Sequence, residues 1–130
     1  MTGNILKIVK ISQSSSPNTV INVKYCDTFF SKLLGLMFSR ELKPDGGIIL
    51  VEPRQSRWGS SIHMLFMNYD LAVMWVDKDM IIVDKVLAKK WMPLYFPKKP
   101  ARYTLELHPS KFHEYAIGDQ LMMAYGSHIS

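Results

Sequence analysis

Short apolar runs alternate with turn-forming clusters along almost the whole chain. Ile5, Ile8, Val9 and Ile11 mark a first strand, and Val20-Ile21-Asn22-Val23-Lys24-Tyr25 a second β-branched run. The polar stretch Ser12 to Asn18 between them reads as the turn of a hairpin. Pro44-Asp45-Gly46-Gly47 is a turn by composition, followed by a short buried strand, Ile48 to Val51. Ile62 to Met67 runs nearly unbroken except for His63. Leu71 to Val76 and Met80 to Leu87 flank the tight turn Asp77-Lys78-Asp79 and predict a second hairpin. Tyr103 to Leu107 alternates, and Gly118-Asp119 turns the chain into a last strand, Gln120 to Tyr125. Pro109 to Tyr115 has room for one helical turn. The sum is about eight short strands with regular turn signals, which predicts a mostly β fold, a single-domain sandwich or squashed barrel.

Between the second and third strands the period changes. Phe29, Phe30, Leu33, Leu34 and Met37 recur at helical spacing behind Asp27-Thr28, whose side chains can cap a first turn. One packed helix is therefore expected at 27–37, burying Phe29, Phe30, Leu33 and Leu34 against the sheet.

Composition narrows the class. The 130 residues suit one domain, 1–130, with a frayed tail at 126–130, and 48% apolar content supports a core that needs no disulfide or metal. No apolar run has the length of a membrane span, and the N-terminus lacks the order of a signal peptide, so a cytoplasmic location is expected. The single cysteine, Cys26, is expected to be a buried small hydrophobe. The net charge of +5 slightly favours anionic partners and does not by itself indicate nucleic acid.

Several segments together resemble a known family. Cys26 to Met37, with Thr28, Lys32 and Gly35-Leu36-Met37, resembles the opening signature of the prokaryotic family called domain of unknown function 192. Ser61-Ile62-His63 with Phe66-Met67 resembles its central strand, and Val73 to Asp79 its hairpin. Tyr103 to Leu107 and Gly118-Asp119 resemble its Val-Leu-Glu-Leu strand and Gly-Asp turn. The resemblance spans about residues 20–125. It implies a compact, mostly β domain and no particular activity. The chain departs from the family pattern at several positions. Lys32 replaces an arginine, Ala72 stands where an aspartate is usual, with Asp70 nearby, and Met80 replaces a turn glycine, which leaves the turn type open.

Candidate chemistry is sparse. His63 is the one titratable residue in an apolar run. Strand alternation would set Ser61, His63, Leu65 and Met67 on one face and Ile62, Met64 and Phe66 on the other. A small-molecule cleft is expected near His63 and Met67, with Lys32, Arg54, Arg57, Trp58 and Asp70 as further ligand-binding candidates. Lys89, Lys90, Lys98, Lys99 and Arg102 flank Trp91, Tyr95 and Phe96. Cations with interleaved aromatics can hold nucleic acid or an anionic surface; the same composition fits a solvated loop whose aromatics plug the core. No zinc motif, phosphate loop or catalytic spacing is present, so the sequence indicates neither a metal, a cofactor nor catalytic residues. It favours a non-catalytic binding or accessory domain over an enzyme of unknown reaction and leaves the oligomeric state open.

Overall fold

The computed structural model describes residues 7–27, 44–62, 64, 69–92 and 94–125. Seven strands are formed: β1 (Lys7–Gln13), β2 (Ser16–Cys26), β3 (Gly46–Ser56), β4 (Leu71–Val76), β5 (Ile82–Ala88), β6 (Ala101–Leu107) and β7 (Leu121–Tyr125). They make one sheet in the order β5-β4-β6-β3-β2-β1-β7. All pairings are antiparallel except β2 with β3. Apart from Asp27, the helix expected at 27–37 lies outside the described residues.

The sheet curls into a half-barrel. Its two edges meet at one end, where Ile82 N donates to Asp119 O (3.0 Å), Gly118 N to Ile82 O (2.8 Å) and Leu121 N to Met80 O (2.8 Å). The interior is filled by alternate residues of every strand, including Val9, Ile11, Val23, Ile49, Met74, Ile82, Leu105, Leu107 and Leu121. Cross-strand pairs such as Val9 with Val23 and Ile11 with Ile21 place β-branched side chains face to face on the pleated surface. A short 3₁₀ helix at Pro109–Glu114 lies against this core through Phe112, and the chain after it buries Tyr115. Lys85 pins that segment, its Nζ donating to Phe112 O and Tyr115 O, both at 2.8 Å. Gly47 lets β3 approach β6 closely. A Cβ there would lie 2.5 Å from Leu107 Cδ2 and 2.7 Å from Glu106 O.

Both hairpins and the last strand form as the alternation predicts. Three expectations change. The strand expected at Ile48 to Val51 runs past its apolar residues. β3 continues to Ser56, with Pro53 inside the register shift that separates the Val51–Tyr103 and Ser56–Ala101 pairs, where a missing N–H costs no ladder bond. The Ile62 run forms no strand of the main sheet among the described residues; Ile62 makes a single bridge to Tyr95. Among the described residues the strands number seven. Finally, Met80 takes the positive φ (65°) that a glycine usually supplies, because Asp77 Oδ1 accepts from both Asp79 N and Ile81 N and fixes the turn around it.

Candidate functional site

The second face of the sheet carries Cys26, Ile48, Leu50, Leu71, Val73 and Trp75, and it is covered by the chain itself. β5 and β6 each run antiparallel to β4, so they are parallel to each other, and residues 89–100 must travel back along the sheet to join them. They do so as a strap over this second face. The strap pairs with the chain after β3: Ile62 and Tyr95 exchange backbone hydrogen bonds at 2.8 Å each way, Met64 N donates to Met92 O (3.0 Å) and Trp91 N to Met64 O (2.8 Å). Ile62, Met64 and Tyr95 point into the core beneath. The Ser60 carbonyl anchors the start of this double strand, accepting from Trp75 Nε1 (2.8 Å) and Thr104 Oγ1 (3.2 Å).

With Tyr95 turned inward, its neighbours are turned outward. Trp91 is 52% exposed, Phe96 43%, and Met92 and Leu94 are also exposed. Trp58, on the turn after β3, is 75% exposed and lies against Phe96, with ring centroids 5.5 Å apart and planes inclined by 32°. The Arg57 guanidinium sits over the Phe96 ring at 5.2 Å while its Nε donates to Pro97 O (2.8 Å). The aromatics of this segment therefore do not plug the core, apart from Tyr95. Trp91 holds a positive φ (69°), uncommon for a bulky residue, which aims its ring away from the sheet.

Charge is concentrated in the same place. Residues 89–102 contain five of the sixteen cationic side chains and none of the eleven acidic ones, which leaves eleven of each sign elsewhere. Four of those five cations are on the strap; the fifth, Arg102, is on β6. Asp70 and Asp84 hold the strap down. Asp70 Oδ1 accepts from Lys90 N (2.9 Å), with Lys89 Nζ at 3.6 Å from Oδ2, and Asp84 Oδ2 accepts from Lys98 N (2.9 Å). Lys89, Lys90, Lys98 and Lys99 are exposed. Arg102 is turned to the sheet, its Nε donating to Glu52 O (3.1 Å).

The structure thus joins two sets of candidates that the sequence kept apart. Arg57 and Trp58 share one surface with Phe96 and the strap cations, and Asp70 serves as an anchor for the strap. Arg54 is exposed at the outer end of β3. His63, Met67 and Lys32, on which the expected cleft rests, lie outside the described residues.

One residue was not singled out from the sequence. Glu106, the next-to-last residue of β6, points to the covered face between Ile48 on β3 and Val73 on β4. It is 1% exposed, and its Oε2 has no hydrogen-bond partner. Burial pushes its carboxyl up to about 8, so the uncharged form prevails at neutral pH. Thr104, two residues earlier on the same face, is satisfied by Ser60; Glu106 is not. Cys26 is fully buried on this face, as expected. Among the described residues no three His, Cys, Asp or Glu side chains converge as a metal site would need, and no helix is long and apolar enough to cross a membrane.

Comparison with known proteins gives a family and a fold. The model of the family described as Uncharacterized ACR, COG1430 (domain of unknown function 192) matches residues 9–123. A UPF0127 protein of Thermococcus kodakarensis is 42% identical over 65% of this chain and 52% of its own length, so the match spans about half of that relative. One of Pyrococcus furiosus is 37% identical over 66% of this chain and 71% of its own. Among solved structures, a Sinorhizobium meliloti protein described provisionally as a transcription regulator superposes with a TM-score of 0.77, covering 95% of this chain and 97% of that one at 19% identity. A Novosphingobium aromaticivorans protein of unknown function gives 0.73, covering 90% and 84%, also at 19% identity. These two share the fold.

Proposed function

This chain belongs to the Uncharacterized ACR, COG1430 family, and we propose that it is a non-catalytic binding module that holds single-stranded nucleic acid on the strap. One observation carries the reading. The exposed Trp58–Phe96 pair, braced by Arg57, lies beside a strap that carries four exposed lysines and no acidic residue. Exposed aromatic faces stack unpaired bases, and flanking lysines neutralise phosphates without selecting a sequence. Single strands are favoured over duplex because they leave base faces open to rings. A lipid surface is the weaker fit. The rings stand on a turn and an extended strap rather than as an apolar wedge on an amphipathic helix.

A short fluorescein-labelled oligonucleotide of mixed sequence tests this by anisotropy. With each of the four exposed strap lysines matched to a phosphate, the logarithm of the affinity should fall against the logarithm of salt with a slope of about −3. Trp58→Ala should weaken binding by about tenfold or more, with little change in stability, and replacing Lys89, Lys90, Lys98 and Lys99 by alanine should flatten the slope. An affinity indifferent to Trp58 and to the lysines would overturn the proposal. So would binding to phosphatidylserine vesicles with none to the oligonucleotide, which would assign the face to lipid.

A further inference from the structure

Glu106 lies under the strap that carries the aromatic face. Its flanking residues, Ile48 and Val73, belong to the same buried cluster as Ile62, Met64 and Tyr95, the inward-facing residues of the strap. In the adjacent row of the sheet, Thr104 and Trp75 hold the Ser60 carbonyl at which the covering segment begins. These two bonds fasten the Ser60 end of the covering segment. Four backbone hydrogen bonds pair that segment with the strap, and Asp70 and Asp84 tie the strap through Lys90 N and Lys98 N. A carboxyl with an unpartnered oxygen is tolerated in such a place only while it is uncharged. A carboxylate would require water or a cation.

The other titratable groups on this face do not relieve it. Among the described residues these are Lys24 and Cys26 on β2, Asp84 on β5, and Tyr69 and Tyr95. Lys24 is exposed and separated from Glu106 by Ile48. Both carboxylate oxygens of Asp84 accept backbone N–H groups, from Lys85 and Lys98, and Tyr95 Oη accepts from Lys89 N.

We propose that Glu106 is a pH-sensitive latch: uncharged, it lets Ser60, Ile62 and Met64 and their strap partners Trp91, Met92 and Tyr95 lie closed on the sheet, and loss of its proton loosens them together with the aromatic face beside them. The latch concerns the strap itself. Only its effect on ligand depends on the nucleic-acid reading.

Amide hydrogen exchange of the full chain, corrected for intrinsic rates, reads the strap directly. From about pH 6 to about pH 9 the protection of Ile62, Met64 and Tyr95 should fall by about tenfold or more, while that of Val9 and Val23 changes little. In Glu106→Gln the strap profile should be flat. A flat profile in the unmodified protein, or an equal fall in Glu106→Gln, would overturn the latch. If that variant does not fold, the carbon-13 shift of the Glu106 carboxyl decides; titration in the ordinary glutamate range rejects the latch and titration above neutrality supports it. Oligonucleotide anisotropy at both pH values separates the two proposals. A strap that loosens in a protein that never binds the oligonucleotide keeps the latch and rejects the ligand. Binding with a pH-independent strap does the reverse.

Discussion

The two faces of the sheet are built from the same strands and obey different rules. The interior of the half-barrel is aliphatic and aromatic throughout, and the Lys85 that reaches its rim has two carbonyl partners. The covered face holds Thr104, Asp84, Ser60 and Glu106 among its apolar residues, and one carboxyl oxygen there is unpaired. An apolar interior can be optimised for packing alone. A face that keeps buried polar groups carries a stability cost that the fold must offset elsewhere, and such departures concentrate where a protein does more than fold. The interior is a scaffold, and the strap side is where this chain differs from one.

Substitutions can break that contrast or sharpen it. The largest effect belongs to the interior. Leu105→Ala should cost about 2–5 kcal/mol, because Leu105 is fully buried at the middle of the sheet and the cavity cannot collapse; a denaturation midpoint close to that of the parent would refute the assigned core. On the other face the signature is a pH dependence. Glu106 stays protonated in the folded protein up to about 8, whereas the unfolded chain releases that proton near 4.5. Folding stability should therefore fall as pH rises through this interval, by up to about 5 kcal/mol, and level off above it. Urea denaturation at a series of pH values measures this, and Glu106→Gln should remove the slope. Thr104→Val should cost about 1 kcal/mol by freeing the Ser60 carbonyl from one of its two donors, and strap amides should lose protection more than interior ones. The smallest effect is at the turn. Met80→Gly should be neutral or stabilising by up to about 1 kcal/mol, since glycine takes the positive φ without a Cβ penalty; a clear loss of stability would mean that Met80 packing against the core outweighs the backbone strain.

Much of the interior was legible in the sequence because each inward residue repeats at every second position and hairpin turns announce themselves. Val9 and Ile11, Ile21 and Val23, and the pair of runs around Asp77-Lys78-Asp79 needed nothing further. The alternation of Ile62 and Met64 was also read correctly, although the segment bonds to the strap and not to the sheet. Glu106 was hidden by the same alternation. Thr104 and Glu106 interleave with Leu105 and Leu107 as the residues of a solvated face would, and a strand's own pattern carries no information about what covers it. The strap was hidden for another reason. Pro93, Pro97 and Pro100 interrupt its period, so nothing local told Tyr95, turned inward, from Phe96, turned outward. The partnership of Trp58 with Phe96 depends on the sheet topology that brings β3 beside the strap. The family resemblance helped with the fold and identified a Val-Leu-Glu-Leu-like strand, without saying that its acid is buried.

Four exposed lysines on one crossing segment that holds no acid make that side of the sheet a cationic band. A body with such a band does not meet a charged partner at random. Within a Debye length of about 8 Å at physiological ionic strength, the field of a polyanion exerts a torque that turns the band toward it before any atoms touch. The same four charges spread evenly over the surface would give equal net attraction and no orientation. Moving two strap lysines to the opposite edge of the sheet would therefore leave the isoelectric point unchanged and slow productive encounter.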